Sequence, residues 1–153
     1  MVERLLRQVR PKIAIFGEKD WQQLQVVTAM VRDTPELASI AIAPGPLVRD
    51  PDGLAMSSRN TRIPAEERDR ALGVPRALQV AHAAQHPETA EQLMRETLEA
   101  HGLEVDYAVV RDPATLEPVR DFTRPSRALV AARLDWEGGS VRLIDNAAMT
   151  VWR

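Results

Sequence analysis

One short apolar run bracketed by chain breakers constrains this protein more than any other feature. Pro11 is followed by Lys12-Ile13-Ala14-Ile15-Phe16 and then by Gly17. A run of that length, without alternation, has the character of a parallel strand covered on both faces. The flanking residues read as helices. Val2, Leu5, Leu6 and Val9 follow helical spacing, so residues 2–9 form an amphipathic helix that Pro11 ends. Beyond Gly17, Asp20 is placed to cap a second helix from about Trp21, with Gln23 completing a capping box. Trp21, Leu24, Val27, Met30 and Val31 give that helix an apolar face, and residues 39–43 supply a second buried run. Helix, strand, helix, strand with tight connections predicts a βαβ unit with a right-handed crossover.

Composition and periodicity change in the loop from Pro44 to Asn60, which places a boundary near Leu47. Residues 1–46 are expected to be the remnant of a nucleotide-binding α/β domain, a partial Rossmann-like βα unit. Residues 47–153 are expected to form a small α+β lobe. Its helices run from about Pro64 to Ala84, kinked or split at Pro75, and from Pro87 to about Ala100. Strands are expected at 103–110, 127–133 and 139–145, the last two joined by a hairpin at Glu137-Gly138-Gly139. The fold class is therefore α/β, continuing into helices on an antiparallel sheet.

Two clusters can carry chemistry. Gly17 lies where a strand gives way to a helix, the place at which α/β folds bind ligands. There the helix start offers N–H groups, Lys19 a cation, Asp20 a ribose acceptor, and Gln23 a carbonyl and an amide. The same residues also fit a plain helix cap with solvated neighbours. In the second cluster, Met56-Ser57-Ser58-Arg59-Asn60, two hydroxyls beside an arginine suit an anion such as a triphosphate, after a turn at Asp52-Gly53. Taken alone, it also fits a polar surface turn.

Charge and composition narrow the classes. A net charge of −2 with interspersed signs leaves no basic stripe for nucleic acid. There is no cysteine, hence no thiolate metal site, and no apolar stretch of the ~18 residues that a membrane helix needs. His82, His86 and His101 fall on surface helices or their ends and read as solvated, so no metal site is expected from side chains. The expected location is the cytoplasm.

Together the two clusters resemble the pantothenate synthetase (pantoate–β-alanine ligase) family. The likeness rests on Phe16-Gly17-Glu18-Lys19-Asp20, then Gln22-Gln23-Leu24, then Asp52-Gly53-Leu54-Ala55-Met56-Ser57-Ser58-Arg59-Asn60. It continues through Glu66-Glu67-Arg68, Thr115-Leu116-Glu117-Pro118 and Arg142-Leu143-Ile144-Asp145-Asn146. The resemblance implies that Gly17, Asp20, Val48 and Met56 contact the adenosine of ATP. It further implies that Lys19, Ser57, Ser58 and Arg59 contact the phosphates, with Ser57-Ser58-Arg59 acting as a mobile KMSKS-like loop, and that Gln23 holds pantoate. ATP with Mg²⁺ is the implied cofactor, and a pantoate-like acid and β-alanine-like amine are the implied substrates. Trp21, Leu47 and Thr61-Arg62 depart from the family pattern.

The resemblance covers the family's second half. The first half, with its HIGH-type histidines and the other wall of the site, has no counterpart among these residues. Three readings stay open: a ligase completed by a partner or by self-association, a shortened relative ligating another small acid, and a non-catalytic nucleotide- or acid-binding module. A two-strand parallel unit also leaves a face and edges open, so a homo-oligomer or a complementary N-terminal half is expected.

Overall fold

The structure, a computed structural model, describes residues 1–149. The chain divides into two compact units, Met1–Leu47 and Val48–Arg153.

In the first unit, helix α1 spans Val2–Val9 and ends on Arg10, whose left-handed backbone (φ 47°) lets its N–H reach the carbonyl of Leu6 at 2.9 Å. Pro11 cannot continue the helix. Strand β1 (Ile13–Gly17) leads through a 3₁₀ turn, Glu18–Asp20, into α2 (Trp21–Asp33). Strand β2 (Ala41–Gly45) pairs with β1 in parallel, and Gly17 lies opposite Gly45 at their carboxyl ends. Ala14, Phe16 and Ile42 pack with Leu6, Val27, Val31, Leu37 and Ile40, so both helices cover one sheet face. The other face is open: Ile13 is 61% and Ile15 72% exposed. The expected covering of both faces is thus half met, because a two-stranded sheet with two helices on one side has nothing for the other.

The second unit begins with a hairpin-like turn at residues 48–56 and short 3₁₀ turns at Ser58–Arg62 and Ala65–Glu67. Helices α3 (Arg68–Ala71), α4 (Gly73–Ala81) and α5 (Pro87–Ala100) follow. The long helix expected from 64 to 84 splits at Leu72 rather than at Pro75. That break puts Pro75 in the first turn of α4, where its missing N–H costs nothing. Gly73 opens α4 tightly against the end of α5: a Cβ there would lie 2.6 Å from His101 Cβ.

Strands β3 (Glu104–Arg111), β4 (Arg127–Trp136) and β5 (Gly139–Ala148) form an antiparallel sheet in the order β3-β4-β5. Glu137 and Gly138 join β4 to β5 as a two-residue turn, with Gly138 at φ 89°, a conformation that favours glycine. The core lies between this sheet and α4 and α5, centred on Met94, Leu98, Val110, Val130 and Leu134. Ala77 and Ala81 on α4 face this core with Ala128 and Ala132 on β4, all fully buried. Such small side chains let helix and sheet approach closely.

His101 is not the solvated residue expected from sequence. Its Nδ1 lies 2.7 Å from the carbonyl of Thr97, so Nδ1 carries the proton and Nε2 accepts from Arg76 at 2.9 Å. Arg70 donates to the carbonyls of His101 and Gly102, placing a cation at the negative end of α5.

Candidate functional site

Residues flagged from sequence fall in both units. Gly17, Lys19, Asp20 and Gln23 surround the carboxyl end of β1. Gly17 has an ordinary extended backbone (φ −66°), and the position of a Cβ there is empty to 4 Å. Neither conformation nor packing within the protein calls for glycine, and the space is open for a ligand to approach the backbone. Phe16, Gly17, Asp20, Gln23 and Leu24 line a small cavity of about 60 Å³. The structure thus brings three of the four flagged residues around one recess, while Lys19 does not line it.

Asp20 corrects the expected capping box. Its backbone (φ −94°, ψ 59°) is not that of an N-cap, and its side chain makes no capping hydrogen bond. The 3₁₀ turn at Glu18–Asp20 leads directly into α2, so Asp20 reaches the helix from a turn rather than from the extended backbone that an N-cap adopts. Its carboxylate is consequently not consumed by the helix end.

The second group is built on a hairpin. Gly53 N–H donates to the Asp50 carbonyl at 2.8 Å, and Gly53 has φ 99°. Asp50 N–H donates to Leu54 O at 2.8 Å, and Met56 N–H donates to Val48 O at 2.9 Å. That last bond sets Val48 and Met56 side by side, 57% and 53% exposed. Two neighbouring apolar side chains held in solvent form a surface on which a flat apolar ring can lie. Ser57 caps the following turn, its Oγ accepting from Arg59 N–H at 3.3 Å. Thr61 Oγ1 closes the turn on the carbonyl of Ser58 at 2.8 Å, which gives this departure from the family pattern a local role. Ser58 and Arg59 are exposed, and Arg59 makes no ion pair among the described residues.

Sequence reasoning missed the scaffold beneath these residues. Arg68 donates to Asp52 at 2.6 and 3.0 Å and to Asp50 at 2.7 Å, holding both carboxyls below the usual carboxylate range. Arg49 grips Asp145 with two bonds of 2.6 and 3.0 Å. Register explains the burial of Asp145. Val141, Leu143 and Asp145 alternate inward on β5, so a carboxylate stands where a third apolar residue would sit. Beforehand Asp52-Gly53 was legible as a turn signal, and Arg68 and Asp145 only as members of family-like segments with no partner visible.

Among the described residues, no three of His, Asp or Glu converge as a metal site. A larger cavity of about 580 Å³ lies on the 112–124 loop. Asp112 and Asp121 there are spent on their own turns: Asp112 accepts from Thr115 and Ala114 N–H, and Asp121 from the Thr123 hydroxyl and N–H. None of the flagged residues lines it.

Comparison with known proteins adds the following. A family model described as pantoate-beta-alanine ligase matches residues 1–148. A pantothenate synthetase of Myxococcus xanthus is 44% identical over 153 residues, covering 95% of this chain and 50% of that protein. One from Novosphingobium aromaticivorans is 46% identical, covering 95% and 52%. The chain spans about half the length of the curated relatives it matches. Among solved structures, a pantothenate synthetase from Thermus thermophilus superposes with a TM-score of 0.82 at 38% identity, covering 95% of this chain and 52% of that one. A pantoate-beta-alanine ligase from Francisella tularensis, complexed with beta-gamma ATP and beta-alanine, gives 0.64 at 25% identity, covering 95% and 47%.

Proposed function

Because this chain belongs to the pantoate-beta-alanine ligase family, we propose that it carries one side of an ATP-dependent, amide-forming site. The observation that carries this reading is the recess at the carboxyl end of β1, where Gly17, Asp20 and Gln23 line one cavity.

In the proposed reaction a pantoate carboxylate oxygen attacks the α-phosphorus of ATP, and the bond to pyrophosphate breaks. The β-alanine amine then attacks the acyl carbon of pantoyl adenylate, loses a proton, and expels AMP. Gly17 admits the nucleotide to the backbone, and Asp20 accepts from its ribose hydroxyls. Val48 and Met56 carry the adenine, and Gln23 orients the pantoate. Lys19, Ser57, Ser58 and Arg59 neutralise and position the phosphates, which is most of what such a transfer requires. Mg²⁺ bound with the ATP would offset the charge of the triphosphate.

Completion of the site is assigned to another copy or to a complementary N-terminal half. The uncovered apolar side chains of Ile13 and Ile15 support this, because an open strand face in water favours association. A strictly monomeric species in light scattering at micromolar concentration counts against it.

The deciding assay is pyrophosphate–ATP exchange with pantoate. Exchange with pantoate supports the family reaction. Exchange only with another small acid points to a shortened relative with a different substrate. No exchange together with no ATP binding defeats the reading.

A further inference from the structure

The residue that follows the phosphate-loop arginine is buried, and its bonding is unusual. Asn60 is 9% exposed, whereas Met56, Ser58 and Arg59 before it are exposed. Its Nδ2 donates to the carbonyl of Ala55 at 3.1 Å and to Asp50 Oδ2 at 3.1 Å. Its own N–H donates to the carbonyl of Ser57 at 3.0 Å. The amide orientation is dictated by these partners, because the opposite flip would set an oxygen against two oxygens. Its Oδ1 is buried with no hydrogen-bond partner.

A buried carbonyl without a donor is unfavourable, and proteins seldom keep one without a compensating role. Here the two bonds donated by Nδ2 both serve the base of one loop. The bond from Asn60 to Ala55 joins the two ends of the segment that carries Met56, Ser57, Ser58 and Arg59. The bond to Asp50 ties that neck to the preceding hairpin, where Arg68 holds Asp50 and Asp52 together. The four side chains at the tip thus stand on a closed loop whose base is buried and whose crown is in solvent.

We propose that Asn60 is a positioning residue: a clasp that holds Ser57, Ser58 and Arg59 in the arrangement that receives the phosphates. The clasp itself follows from the bonds above, and its purpose rests on the ATP reading. Asn60 touches no phosphate. It acts by shortening the range of shapes open to the loop, so that less order is lost when the anion binds.

The test pairs two measurements on the full chain. Hydrogen–deuterium exchange reads the amides of 56–60 directly, and calorimetry with MgATP reads affinity. For Asn60→Ala, exchange at 56–60 is expected to quicken at least tenfold while α5 and β4 are unchanged, and MgATP affinity is expected to fall about tenfold. Asp50→Asn keeps the volume, removes only the charge shared by Arg68 and Asn60, and is expected to give a smaller change of the same kind; it carries the test if Asn60→Ala does not fold. Unchanged exchange in the folded variant overturns the clasp. Faster exchange with unchanged affinity overturns its role in binding. Faster exchange in a chain whose wild type binds no MgATP upholds the clasp and defeats the ATP reading instead.

Discussion

Arg49→Ala should be among the most damaging single changes in the second unit, and its size can be worked from the structure. The Asp145 side chain is 0% exposed, and its donors are the two Arg49 nitrogens and the N–H of Asn146 at 2.7 Å. Removing the guanidinium leaves a buried carboxylate with one neutral donor. Breaking a buried pair in this way costs about 3–5 kcal/mol. Arg49 itself is 35% exposed, so water can enter the space it vacates and the lower end, about 3 kcal/mol, is expected. With a urea m-value of about 1.5 kcal/mol per molar for a unit of this size, the midpoint should fall by about 2 M. Urea denaturation followed by far-UV circular dichroism measures it. The companion variant Arg49→Met with Asp145→Leu replaces the whole pair by apolar groups and should recover most of the loss, since the damage comes from the orphaned charge. A midpoint shift under about 0.5 M for Arg49→Ala would refute the reasoning. So would a double variant as unstable as the single one.

Other outcomes can be checked alongside. Gly73→Ala should destabilise by about 1–2 kcal/mol despite alanine's better helix propensity, because the new Cβ meets His101 Cβ at 2.6 Å; a raised melting temperature would reverse that conclusion. Lys19→Ala and Arg59→Ala should each weaken MgATP binding by about 1–3 kcal/mol in calorimetry, and unchanged affinity would remove them from the phosphate site. Asp50 and Asp52 are both lowered by their hydrogen bonds to Arg68. Their contribution is therefore complete above the unfolded value of about 3.9 and is lost as pH falls through the lower folded values. Amides 50–60 should lose protection near pH 3 relative to pH 6 after correction for intrinsic exchange, and equal protection at both would contradict the ion cluster.

What the chain determined by itself was local. The spacing of Val2 and Leu6, the bracket of Pro11 and Gly17, and the start of α5 at Pro87 depend on backbone sterics and on contacts a few residues apart, and the elements formed where these signals stood. The family was legible for a similar reason, since Gly17–Leu24 and Asp52–Asn60 are contiguous segments. Tertiary structure decided the rest. Asp145 and Arg49 are 96 residues apart, and only the register of β5 turns that carboxylate inward. Asp20 looks like a cap until the 3₁₀ turn before it removes the required backbone geometry. Gly73 has no visible reason until His101 arrives from the end of α5. Asn60 reads as one more polar loop residue until its burial makes it the base on which the loop stands. For Asp145 and Gly73 the meaning of the residue resides in a partner that sequence separation hides, and close packing turns that partnership into a requirement.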